Sequence, residues 1–180
     1  MKSRIVLALS ATALVVASTV AFGALAPTVA SAAGSSCALK GSATFNPPLG
    51  LTTRTTTVKF TGTLSKCTSN TYGITGGTVQ SSGSGPATCN PSGSNSVTTT
   101  GTIKWKGVTG TNTDTTTSTG VANSNPPTDT LSGTITGGSP VPSGTTTGGS
   151  LTYKVTKTVT KDCTKGKLKK ISFTGTTTLN

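Results

Sequence analysis

An all-β fold, an antiparallel β-sandwich of about seven strands, is what this sequence predicts. Three observations predict it. Large apolar side chains fall an even number of positions apart, as in Val58, Phe60 and Leu64 or Val97, Ile103 and Trp105, which fits the period of two of a strand with one buried face. Thr, Ser and Gly dominate the remainder, and no segment beyond residue 32 combines helical periodicity with good helix formers; the branched Thr side chain suits a pleated surface. Clusters of Pro, Gly, Asn and Ser punctuate the chain at strand-length intervals. We read the arrangement as immunoglobulin-like, with a closed barrel as the other architecture of this composition.

Residues 1–32 read as an export signal helix. Lys2 and Arg4 form a basic start, residues 5–26 are almost unbroken apolar sequence, Pro27 ends the run, and Ala30-Ser31-Ala32 fits a small-residue cleavage site. The cut is expected after Ala32, leaving 33–180 as a single domain with no membrane span. Retained, the same run is long enough to anchor the chain in a bilayer. A lipid anchor at Cys37 is disfavoured because Gly34-Ser35-Ser36 lacks a branched apolar residue.

The strands follow in order. Cys37, Leu39, Ala43 and Phe45 share one face of the first, and Pro47 and Pro48, which cannot donate to a ladder, are expected to end it. The second, 53–66, turns Val58, Phe60 and Leu64 inward and Lys59, Thr61 and Thr63 outward. A third begins at 74–79 and fades into the Ser/Gly run 81–86. The clearest alternation is 97–106, with Lys104 and Lys106 opposite Ile103 and Trp105, so Trp105 is the expected centre of the core.

Residues 107–125 are Thr-rich and short of apolar side chains. They read as an edge strand around 117–122 or as a loop. After Pro126 and Pro127, Leu131, Gly133 and Ile135 mark a short strand, and 137–150 reads as loop, so 107–150 is expected to be a flexible Thr/Gly/Pro-rich segment. Leu151, Tyr153 and Val155 open a long strand, 161–167 forms a basic turn, and Ile171, Phe173 and Leu179 close the chain. The stretch 163–179 echoes 58–67: each carries an apolar residue, then Phe-Thr-Gly-Thr, beside a cysteine. These two strands are expected to frame the fold. Gly62, Gly101, Gly133 and Gly175 fall on inward positions, where glycine lets a ring lie over the backbone or marks a bulge.

Large apolar residues are scarce, and thin cores in exported proteins are usually stapled. Cys37, Cys67, Cys89 and Cys163, an even set after an export signal, read as two disulfides. Of the three possible pairings, Cys37–Cys67 with Cys89–Cys163 is favoured. A metal site is not expected: no two cysteines are close in sequence and the chain has no His.

The assembled pattern resembles a group of small secreted four-cysteine β-sandwich proteins of actinobacteria whose function is not established. The features that carry the resemblance are the export signal with Cys37, the stretch Phe45-Asn46-Pro47-Pro48-Leu49, the Thr-rich strand ending in Cys67-Thr68-Ser69, Cys89 after a Gly/Ser loop, Ile103-Lys104-Trp105, and Cys163 before the final strand. The resemblance implies an exported β-sandwich and brings no catalytic or ligand residue with it. This chain departs from the group in being strongly basic.

Chemistry is constrained by what is missing. Most enzymes move protons with His, Glu or Asp, and this chain has neither His nor Glu; its three acids are Asp114, Asp129 and Asp162. Asp114 is read in the Thr-rich loop, Asp129 follows Pro-Pro, and Asp162 sits among lysines, so a carboxylate pair needs the fold to bring loops together. Nothing places a Ser on a strained turn beside a buried Lys. Gly76-Gly77 and Gly148-Gly149 lack a strand-loop-helix context and read as turns rather than phosphate loops. No cofactor is expected, and the protein is read as non-catalytic.

One feature rises above this background. Lys154, Lys157, Lys161, Lys165, Lys167, Lys169 and Lys170 crowd one short stretch. They could bind an anionic cell-envelope polymer as point charges; specific nucleic-acid recognition is not expected, because Tyr153 and Phe173 point inward and leave no stacking platform. The same lysines could serve only to keep a Thr-rich surface soluble and its strand edges unpaired. The Thr-x-Thr runs at 111–119 and 156–160 lack the fixed period of a flat ice-binding array. The sequence thus points to an exported, cell-surface or extracellular binding module, or to a structural or protein-interaction protein of the same compartment.

Overall fold

In the computed structural model, which describes residues 34–68, 72–90, 92–93, 95–121 and 127–180, the chain forms one closed antiparallel barrel. The expected export signal and its cleavage point lie outside the described residues. The strands are β1 (Ser35–Leu49), β2 (Arg54–Ser65), β3 (Gly76–Ala87), β4 (Asn95–Lys106), β5 (Thr111–Val121), β6 (Thr128–Gly138), β7 (Thr146–Tyr153) and β8 (Leu168–Leu179), with one helix, α1 (Lys157–Thr164), between β7 and β8. Each strand pairs with the next, and β8 returns to β1.

The all-β, antiparallel reading therefore holds, but the immunoglobulin-like sandwich does not. Alternation reveals which side of a strand is buried, and that side is the same in a sandwich and a barrel. What separates them is whether the first strand meets the last. Here β1 pairs with β2 from Ala38↔Ser65 to Asn46↔Thr57 and with β8 from Ser35↔Leu179 to Thr44↔Lys170, so the sheet has no open edge. The two echoing strands are β2 and β8, and they flank β1 as the frame of the closure.

β3 runs on through the Ser/Gly stretch 81–86 where it was expected to fade, and Gly76-Gly77 and Gly148-Gly149, expected as turns, lie within β3 and β7. Three further local expectations change with the barrel. Pro47 and Pro48 do not end β1; they sit in a register shift between Thr44 and Leu49, after which pairing resumes at Leu49↔Leu168, as befits residues lacking an N–H at a bulge. Within 107–150, expected to be flexible, the short strand read around 131–135 lengthens to β6, β7 begins at Thr146 inside the expected loop, and the edge strand or loop read over 107–125 is the full strand β5. Its inward positions, Asn112, Asp114, Thr116, Ser118 and Gly120, are polar or small, so no apolar alternation betrayed it.

The third is α1, where a long strand running into a basic turn was expected. Eight residues are too few to hold a helix by propensity alone. Thr156 caps it, its hydroxyl accepting from Val159 N at 3.3 Å, and Val159 packs on the core while Cys163 is buried and disulfide-bonded. Tertiary anchors thus override the local preference for strand.

The disulfides join Cys37 to Cys67 and Cys89 to Cys163, and leave no free cysteine among the described residues. The first ties the start of β1 to the chain just beyond β2; the second ties the β3–β4 connection to α1. Two such bridges fit an oxidising, extracellular-type compartment. Among the described residues no helix is long and apolar enough to cross a membrane.

The core fills the barrel unevenly. At the end where β1 and β8 start and finish, the β6–β7 connection folds inward, burying Val141 completely beside Ile135. Trp105 lies at this closed end rather than at mid-barrel. At the waist, Phe173 makes edge-to-face contacts with Phe60 (centroids 6.0 Å apart) and Tyr153 (6.3 Å). Glycine makes room for this cluster: Phe173 Cζ lies 2.8 Å from where a Cβ of Gly41 would stand, so the ring covers the backbone of the neighbouring strand.

Candidate functional site

The opposite end of the barrel is where the β1–β2, β3–β4, β5–β6 and β7–β8 connections gather, and it encloses a cavity of about 300 Å³. Its walls come from the inward faces of the strands: Leu49, Val58 and Phe60 from β1 and β2, Ala87 and Val97 from β3 and β4, and Leu168 and Ile171 from β8. Helix α1 lies over it, contributing Val159 and Cys163. Leu51 and Val155, the exposed large hydrophobic residues of the described chain at 47% and 48% exposure, both line this cavity.

The connections around the mouth are cross-braced. Gly50 O accepts from Thr88 Oγ1 at 2.9 Å and from Cys89 N at 3.1 Å. Thr88 N donates to Asn95 Oδ1 at 2.8 Å, and the Cys89–Cys163 bridge then fastens this loop to α1. The mouth is therefore held by bonds between connections as well as by the sheet.

One side of the cavity is polar. Asp129, on β6 and 7% exposed, accepts at Oδ2 from Ser118 Oγ and from Tyr153 Oη, both at 2.6 Å, the length of charge-assisted O–H···O bonds. Burial and the adjacent Asp129 carboxylate push the Tyr153 phenol well above its ordinary range. Tyr153 thus stays protonated and serves as a donor.

Below the waist lies a smaller chamber of about 70 Å³, sharing Phe60 and Ser118 with the larger cavity. Asp114 Oδ2 accepts from Thr116 Oγ1 at 2.7 Å, whereas Asp114 Oδ1, Ser35 Oγ and Thr147 Oγ1 have no hydrogen-bond partner among the described residues. All three residues line the chamber. Burial raises the Asp114 carboxyl above the usual carboxylate range, against a smaller opposing effect of the Thr116 bond.

The residues singled out from sequence are distributed as follows. Lys154, Lys157, Lys161, Lys165, Lys167, Lys169 and Lys170 are all exposed and follow the path from the end of β7 through α1 to the start of β8, so they gather at the cavity end. Asp162 lies half-buried on α1 among them. Asp114 and Asp129 are not on loops: they face the barrel interior from β5 and β6. Both faces of β5 are polar, so its alternation supports no more than an edge strand around 117–122 or a loop. The available signal was the Asx, Thr, Ser and Gly series at alternate positions from Asn112 to Gly120. No lysine of the described chain is buried.

The chain matches no family model, no curated protein and no solved structure.

Proposed function

We propose that this protein is a non-catalytic extracellular binding module that takes a small, largely apolar ligand into the barrel beneath α1. The cavity carries this reading: about 300 Å³, at the lower end of the range of roughly 300–1,000 Å³ for small-molecule sites, apolar on most sides with a few convergent polar groups. Its exposed apolar lip, Leu51 and Val155, suits an entrance for such a ligand. The test is titration with an apolar fluorescent dye such as Nile red. Dye should bind to the native protein, and Ala87→Phe, which fills the cavity, should abolish binding while the far-ultraviolet spectrum stays that of a β-barrel. Equal dye binding by Ala87→Phe refutes the reading.

A second reading is supported by a separate observation, the exposure of all seven lysines along the β7–α1–β8 path. In it the lysine end binds an anionic cell-envelope polymer such as teichoic acid. Retention on cell-wall fractions should then fall steeply with salt, and replacing Lys157, Lys161, Lys165 and Lys167 by Gln should remove it. Unchanged retention points instead to a structural or protein-interaction role.

A further inference from the structure

We infer that the ligand of the mouth cavity is an apolar amine, its ammonium group paired with Asp129; this rests on the cavity reading above. The chain has only three acids, and two of them, Asp114 and Asp129, face the barrel interior at 6% and 7% exposure. Every Lys and Arg of the described residues is exposed. The interior therefore carries carboxylates with no cation among the described residues to meet them. A buried carboxylate without a counter-charge is costly, and a paired cation offsets that cost better than a neutral donor does.

Asp129 is placed to receive such a group. Its Oδ2 is occupied by Ser118 and Tyr153. Its Oδ1 faces Gly120, its cross-strand partner on β5: a Cβ there would stand 2.9 Å from Oδ1 and 3.1 Å from Asn95 Nδ2. Glycine at this position opens a notch in the cavity wall beside the carboxylate. Asn95 Oδ1 is already engaged by Thr88 N, so the notch offers one carboxylate acceptor and one amide donor. The ammonium group fits over Gly120 against Asp129 Oδ1, and the apolar body lies against Val58, Phe60 and Ile171 on the other wall. An anionic head group is repelled there. The lysines outside the mouth repel a small cation in solution, so amine association accelerates as salt screens them, the opposite of an anion's behaviour.

The experiment is calorimetric titration of the protein with octylammonium, octanol and octanoate, which share one apolar chain. We expect octylammonium to bind at least about tenfold more tightly than octanol, equivalent to about 1.4 kcal/mol, and octanoate to bind most weakly. Asp129→Asn should erase the difference between amine and alcohol while alcohol binding persists. Tyr153→Phe, which removes one of the two donors to Oδ2 and leaves the carboxylate and its Ser118 bond, should widen it, and this variant decides the matter if Asp129→Asn does not fold. Octanoate binding most tightly, an amine no better than the alcohol, or an amine preference surviving Asp129→Asn overturns the inference and leaves the cavity reading standing. Failure of all three probes to bind overturns both.

Discussion

Trp105 Nε1 donates to Asn112 Oδ1 at 2.8 Å at the closed end of the barrel. Asn112, fully buried, also accepts from Val141 N at 3.1 Å and donates through Nδ2 to Gly137 O at 2.9 Å and Val141 O at 2.8 Å. Its amide thus meets its full hydrogen-bonding capacity and pins the β6–β7 connection under β4 and β5. Asn112→Ala should destabilise by about 3–5 kcal/mol, since it leaves several buried groups unpaired at once. The Trp105 emission should move to the red in the same variant, as water reaches the indole. A loss under about 1 kcal/mol would mean the network contributes little.

Asp114 predicts a gain rather than a loss. Its carboxyl is raised by burial, so the folded state favours the protonated form. The stability this group contributes is present below the ordinary value of 3.8 and is lost as the pH rises through the higher folded value. At neutral pH the ionised group is therefore a burden, and Asp114→Asn should stabilise by on the order of 1 kcal/mol. Urea melts at neutral and acid pH check this: the advantage of the variant should shrink in acid.

Tyr153 shifts in the same sense, with consequences at the alkaline end. Its phenol is raised first by burial and then by Asp129, beyond the smaller opposing bond from Ser118. The contribution to stability is complete below the unfolded value near 10.0 and is lost as the pH climbs toward the folded one. Spectrophotometric titration of the native protein should show one tyrosine whose ionisation is delayed until the protein unfolds. In Tyr153→Phe that delayed component should vanish.

The two disulfides should differ in effect. Closing loops of 30 and 74 residues restricts the unfolded chain by about 3.6 and about 4.4 kcal/mol respectively in the chain-entropy account. Replacing Cys89 and Cys163 by Ser should therefore cost slightly more than replacing Cys37 and Cys67. Only the former pair braces α1 over the cavity, so only its removal should speed release of a bound dye.

The exposed lysines should be neutral to folding. Replacing Lys157, Lys161, Lys165 and Lys167 by Gln should leave stability within about 0.5 kcal/mol, measured by denaturant melts, because none is buried.

Legibility in this chain tracks where side-chain chemistry alternates. Val58, Phe60 and Leu64 against Lys59, Thr61 and Thr63 announce β2, since burial of one face dictates the period of two. The inward series of β5 carries no such contrast with its outward threonines, so that strand, and the Asp114 carboxylate with it, could not be placed on a wall; Asp129 sits on β6 two residues before Leu131, ahead of the apolar positions that marked that strand. Helix α1 was hidden for a related reason: Val159 and Cys163 hold it, and neither anchor exists until β8 and the β3–β4 connection are in position.

Local pattern in this protein therefore carries strand character, an antiparallel class and a cysteine set suited to two bridges, because each depends on residues near one another in the chain. Closure of β8 onto β1, the hollow beneath α1 and the meeting of Ser118, Asp129 and Tyr153 depend on partners far apart in sequence. A period of two says which face turns inward; it does not say which strand lies alongside or how much room the small inward residues leave between the walls.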